Sequence, residues 1–181
     1  MAVYTEISDE ELDGLLEQYD LGQALSCKGI AEGVENSNFL LHTEGGYFIL
    51  TLYEKRVHAE DLPFFLGLME HLAEGGFTSP RPISAKDGRN LKEVAGRPSA
   101  IIEFLDGRSV RRITPQHCAL LGQTLAQLHT IGSNFKLQRV NTLSVSNWRP
   151  LYTSCRDGGH ENMSADLLSE IETEIGYLED H

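Results

Sequence analysis

Two stretches of this sequence carry residue types able to hold a nucleotide. One is Gly33-Val34-Glu35-Asn36-Ser37-Asn38, which is small, polar and able to turn sharply. Its backbone N–H groups, together with the Ser37 hydroxyl, can approach phosphate oxygens. It lacks the Gly-x-x-x-x-Gly-Lys spacing of a P-loop, and taken alone it reads as a turn. The other stretch is Ala100–Gly107, Ala-Ile-Ile-Glu-Phe-Leu-Asp-Gly, an apolar strand that runs into a linker and is released at Gly107. An edge strand leaves alternate backbone groups unpaired. The Glu103 carbonyl and the Leu105 N–H can therefore offer one acceptor and one donor to the edge of a purine. The same residues read equally well as a plain apolar strand ending in a turn.

Other chemistries find little support. None of the seven histidines has metal-site spacing, and Cys27, Cys118 and Cys155 form no Cys-x-x-Cys, so no metal site is expected in the chain. A net charge of −12 argues against a nucleic-acid partner, which would need a basic stripe. Arg108, Arg111 and Arg112 are too few to supply one and read as a solvated loop. The N-terminus is acidic where a signal peptide would be basic, and no apolar run approaches membrane length. The expectation is a cytoplasmic, reducing setting with no membrane partner.

The elements that must position these stretches follow from patterning. At 181 residues the chain suits one domain or one and a half. Ser8-Asp9-Glu10-Glu11 is a capping box, and Leu12, Leu15, Leu16 and Tyr19 then recur at helical spacing, predicting a helix that ends near Leu21-Gly22. Gly29–Thr43 and Tyr47–Tyr53 read as a strand pair joined by a hairpin at Glu44-Gly45-Gly46. Asp61–Glu74 reads as a helix, with Pro63 in its first turn and Glu60 ahead of it, where a carboxylate suits the positive end of the dipole. Leu91–Ala95 and Ser99–Phe104 form a second hairpin. Together these predict about five strands in an antiparallel sheet, with one helix inserted after the third. Thr114 and Pro115 start a further helix, with Leu121, Leu125 and Leu128 on one face and its end near His129. Phe135–Pro150 reads as polar and irregular, and Met163–Leu178 as a last helix whose apolar face, from Leu167 to Leu178, is left exposed.

This order of parts resembles the aminoglycoside-phosphotransferase-like kinases, which share the protein-kinase-like fold. Within them the chain is similar to the homoserine kinases. The residues that carry the resemblance are Glu35-Asn36-Ser37-Asn38-Phe39, Leu50-Thr51-Leu52-Tyr53-Glu54, Leu68-Met69-Glu70-His71-Leu72, Glu103-Phe104-Leu105-Asp106-Gly107, Leu121–His129 and Asn147-Trp148-Arg149-Pro150-Leu151. The resemblance implies an α+β fold, with a nucleotide lobe at residues 1–102, a hinge at 103–107, and the start of a helical substrate lobe at 108–181. It implies ATP and Mg2+ as cofactors and the L-homoserine hydroxyl as phosphate acceptor. Gly33, Asn36, Ser37 and Asn38 would cover the phosphates, Glu103 and Leu105 would hold adenine through backbone atoms, and Glu60 would orient a phosphate-contacting basic residue. An aminoglycoside, choline or sugar kinase, or a non-catalytic nucleotide- or partner-binding module, remains an alternative.

Two departures from the kinase pattern accompany the resemblance. Thr51 stands where the strand lysine is usual, leaving Lys55 or Arg56 to reach the phosphates. No His-x-Asp occurs; His58-Ala59-Glu60 is the nearest form and falls in the wrong lobe. Kinases of this fold use an aspartate in that loop to accept the hydroxyl proton, and an asparagine and a later aspartate for magnesium. The catalytic and metal-holding acids are therefore expected beyond His181.

Overall fold

A computed structural model describes residues 4–31, 35–54, 58–158 and 163–179. Two compact units are present, residues 1–138 and 139–181.

The first unit is built on a sheet. Ser8 caps α1 (Asp9–Leu16), its Oγ accepting the Glu11 N–H while the Glu11 carboxylate accepts the Ser8 N–H at 2.9 Å. Strands β1 (Ala24–Gly29), β2 (Asn36–Thr43), β3 (Gly46–Tyr53), β4 (Lys92–Val94) and β5 (Arg97–Glu103) form one antiparallel sheet in the order β1-β2-β3-β5-β4. α2 (Leu62–Glu74) is inserted after β3, behind a single 3-10 turn at Ala59–Asp61. Alternation along the strands puts Phe39, Leu41, Leu50, Leu52 and Ile101 on one face, where they bury against Leu12, Leu15, Leu16 and Tyr19. The core thus lies between α1 and that face of the sheet.

Several boundaries differ from the sequence expectation, each for a physical reason. α1 stops at Leu16, and turns carry the chain on to Gly22, whose φ is +75°. A Cβ there would meet the Glu44 carboxylate at 2.6 Å, so only glycine lets this loop close on the β2–β3 hairpin. The first strand is Ala24–Gly29, ahead of the predicted run; as a half-exposed edge strand it carries little apolar pattern. The β4–β5 turn is Ala95-Gly96, both with positive φ (51° and 66°) as a type I′ hairpin requires, so β5 resumes at Arg97.

α3 (Pro115–Gly132) starts at Thr114, whose N–H donates to His117 Nδ1 at 3.1 Å. It runs past His129 to Gly132. Its expected apolar face is not covered: Leu121 and Leu125 are exposed, and α3 meets α2 near its C-terminal end, where His71 Nε2 lies 3.0 Å from the Ile131 carbonyl.

In the second unit α4 (Val145–Asp157) takes up Val145–Pro150 at the end of the expected irregular segment, while the residues before it are irregular as expected. Asn147 bonds Ser144 Oγ at 3.2 Å and the Asn141 carbonyl at 3.3 Å, closing the helix start with polar side chains. Pro150 sits inside the helix because Tyr152, buried against α5 (Ala165–Glu179), holds the turn in place. Tyr152 OH donates to the Leu168 carbonyl at 3.1 Å, and Arg149 grips Glu179 at 2.6 Å. The apolar face expected to be open is split: Ile175 is buried, whereas Leu167 and Leu178 are exposed.

Burial pushes the Tyr53 hydroxyl up to about 12, and burial followed by the Asp87 charge does the same for Tyr19. The unfolded values lie near 10. Both groups therefore favour folding fully below pH 10, and that contribution is lost as pH rises from 10 toward 12. An alkaline titration that follows tyrosinate absorbance together with circular dichroism should show these two tyrosines ionising only as the sheet unfolds.

Candidate nucleotide site

The second face of the sheet carries the residues singled out from sequence. Alternation places Asn36, Asn38, Leu40 and His42 of β2 on it. The register aligns them in rows: Asn38 with Thr51 and Ala100, Leu40 with Ile49 and Ile102, and His42 with Tyr47. The first row is polar and tied, Thr51 Oγ1 donating to Asn38 Oδ1 at 2.8 Å. The second is aliphatic. The third is aromatic: His42 stacks on Tyr47 with centroids 4.1 Å apart, and Tyr47 lies 6.2 Å from Phe104. From the polar row to the aromatic row is about 13 Å at the usual strand rise, a span a nucleoside triphosphate can bridge.

The chain leaves β5 at the aromatic end. β5 closes at Glu103, whose N–H donates to the Arg81 carbonyl at 2.9 Å. The Arg81 N–H returns to the Glu103 carboxylate at 3.0 Å rather than to its carbonyl. Phe104 and Leu105 are exposed past the end of the sheet, and no backbone hydrogen bond to Leu105 forms among the described residues. At the polar end the Asn36 Oδ1 is buried with no hydrogen-bond partner. The open Leu105 N–H and the apolar floor beside it suit the edge and face of a purine, whereas the orphaned Asn36 Oδ1 is an acceptor and leaves only the Asn36 Nδ2 amide able to meet a phosphate oxygen.

Ser37 is separated from its neighbours. Being one residue out of phase with Asn36 and Asn38, it faces the α1 side, fully buried. Its Oγ accepts the N–H groups of Tyr4 (2.8 Å) and Thr5 (3.2 Å) and donates to Glu54 Oε1 at 2.7 Å. Glu54 Oε2 in turn accepts from Arg97 Nε at 3.0 Å. Sequence reasoning missed this Ser37–Glu54–Arg97 cluster. A period-two reading of Asn36-Ser37-Asn38 as strand instead of loop would have exposed it.

Glu60 is exposed in the 3-10 turn before α2 and makes no ion pair among the described residues. Gly33, Lys55 and Arg56 lie outside the described residues. Among the described residues no group of three or more His, Cys, Asp or Glu could hold a metal ion. No helix among them is long and apolar enough to cross a membrane. A cavity of about 620 Å³ beside α1 is lined by Asp13, Glu17 and Asp20 against Lys86, a balance of charge that repels a polyphosphate.

Known proteins match this sequence and fold. The phosphotransferase enzyme family (APH) matches residues 26–181. A homoserine kinase of Paramagnetospirillum magneticum is 56% identical over 100% of this chain and 55% of its own length. Homoserine kinases of Parvibaculum lavamentivorans and Sinorhizobium fredii are each 54% identical, over 98% and 100% of this chain and 55% of their own lengths. The chain thus spans about half the length of the curated relatives it matches. The crystal structure of spectinomycin phosphotransferase in complex with ADP and spectinomycin aligns with a TM-score of 0.56 at 16% identity, covering 86% of this chain and 48% of that one. That likeness shows the shared fold: a five-stranded antiparallel sheet with its inserted helix, as in the kinase-like N-lobe.

Proposed function

The chain belongs to the phosphotransferase enzyme family, and from that premise we propose that it is the nucleotide-binding half of an ATP-dependent kinase acting on the side-chain hydroxyl of L-homoserine, a step toward threonine. The observation that carries this reading is identity of 54–56% to homoserine kinases along essentially the whole chain. In this reading residues 1–102 form the nucleotide lobe, 103–107 the hinge, and 108–181 the start of the helical lobe. The Glu103 carbonyl and Leu105 N–H hold the adenine edge, and the base lies along Leu40, Ile49 and Ile102. Asn36 and Asn38 line the phosphate end, Ser37 anchors that segment from behind, and Gly33 is assigned to the phosphates from the sequence alone. Glu60 orients a basic side chain toward the phosphates. ATP supplies the transferred phosphoryl group, and its magnesium neutralises the charge. The proton acceptor and metal-holding acids belong to the part of the relatives' length outside this match. Three free cysteines and a requirement for ATP suit a cytoplasmic enzyme.

The test is a chimera joining this chain to the remaining length of the Paramagnetospirillum magneticum relative. It is expected to phosphorylate homoserine in preference to aminoglycosides, choline and sugars, while the 181-residue chain alone gives no turnover. Preference for another acceptor would overturn the substrate. A folded chimera inert on every acceptor would overturn the kinase reading.

A further inference from the structure

We infer that Glu54 is a positioning residue for the phosphate end of the site: it touches no nucleotide, yet it sets the geometry of Asn36 and Asn38. The inference rests on the nucleotide reading above. Glu54 directly follows β3, is only 9% exposed, and joins three strand ends in one hydrogen-bonded set. Oε1 takes the Ser37 hydroxyl at the start of β2 (2.7 Å), and Oε2 takes Arg97 Nε at the start of β5 (3.0 Å). Through Ser37 the set also captures the Tyr4 and Thr5 N–H groups, so the N-terminal segment is pinned across the same edge.

Ser37 Oγ is saturated, with one bond donated and two accepted, and is not free to meet a phosphate. Its two sequence neighbours point to the opposite face. Fixing Ser37 from behind fixes the rotation of β2 about its own axis, and hence the aim of Asn36 and Asn38. A charge-assisted, buried network is a stiff way to do this. Asn38 is held from the front as well, by Thr51 at 2.8 Å, so the two bonds brace one strand from both faces.

The experiment uses the full chain with Glu54→Gln, Ser37→Ala and Ser37→Thr, reading hydrogen exchange at Tyr4 and Thr5, the Asn36 and Asn38 amide resonances, and ADP affinity by calorimetry. Glu54→Gln and Ser37→Ala are expected to speed exchange at Tyr4 and Thr5, to shift both asparagine resonances, and to weaken ADP about fivefold while the melt stays cooperative. Ser37→Thr keeps the hydroxyl and should recover all three readouts. Unchanged asparagine resonances and ADP affinity, despite faster exchange at Tyr4 and Thr5, would overturn the positioning role and leave a purely structural clamp. Should a variant not fold, Ser37→Thr and the milder of the other two still decide through the resonances. If the wild-type chain does not bind ADP, the nucleotide reading fails on that result alone; asparagine resonances that move in Glu54→Gln would still support control of their geometry, and static ones would overturn it.

Discussion

Leu50→Ala is expected to destabilise the sheet-bearing unit by about 3 kcal/mol or more, the upper part of the range for truncating a buried leucine. Leu50 is 0% exposed at the centre of β3, between Phe39 on β2 and Ile101 on β5. It belongs to the same buried cluster as Leu12, Leu15 and Leu16 of α1, so the cavity lies within a core of three strands and a helix that cannot all collapse into it. A domain of this size has only about 5–15 kcal/mol to lose. Urea unfolding followed by circular dichroism should show the midpoint move sharply down with the slope unchanged. An equal substitution at Leu121, exposed on α3, should move it little.

Leu105→Pro is expected to weaken ADP about thirtyfold while leaving the melting temperature within a degree or two of wild type. Proline removes the N–H that is proposed to meet the purine, which leaves a ring nitrogen without its partner in the bound state. The fold should tolerate it, because Leu105 is 43% exposed, lies past the last residue of β5, and gives its N–H to no described residue. The residue before it, Phe104, is already outside helix, so the added restriction on its backbone is mild. Calorimetric titration with ADP checks the affinity, and a thermal scan checks the fold. Loss of affinity with an unchanged melt isolates the hinge N–H from any general damage.

The α1 face of the sheet was legible in the sequence because Leu12, Leu15 and Leu16 at helical spacing and the Phe48–Leu52 run each carry a strong apolar period. The end of β5 was legible for the same reason: an apolar strand gives way abruptly to Asp106-Gly107. What stayed hidden lay where local pattern and tertiary contact disagree. Ser37 sits among small polar residues that look like a loop, and only pairing with β3 makes them a strand and turns its hydroxyl inward. α4 opens on polar residues and contains Pro150, so its local propensity argues against the helix that packing of Tyr152 on α5 secures. The open face of α3 shows the converse: Leu121 and Leu125 advertise a core that nothing in their own unit provides.

The most direct measurement is an amide chemical-shift map of the wild-type chain titrated with ADP. Saturable shifts are expected at Glu103–Leu105, at Asn36–Asn38 and along Leu40, Ile49 and Ile102, with the residues around α1 still. No saturable shifts, or shifts gathered instead around Asp13, Glu17 and Asp20 beside α1, would contradict the proposed site.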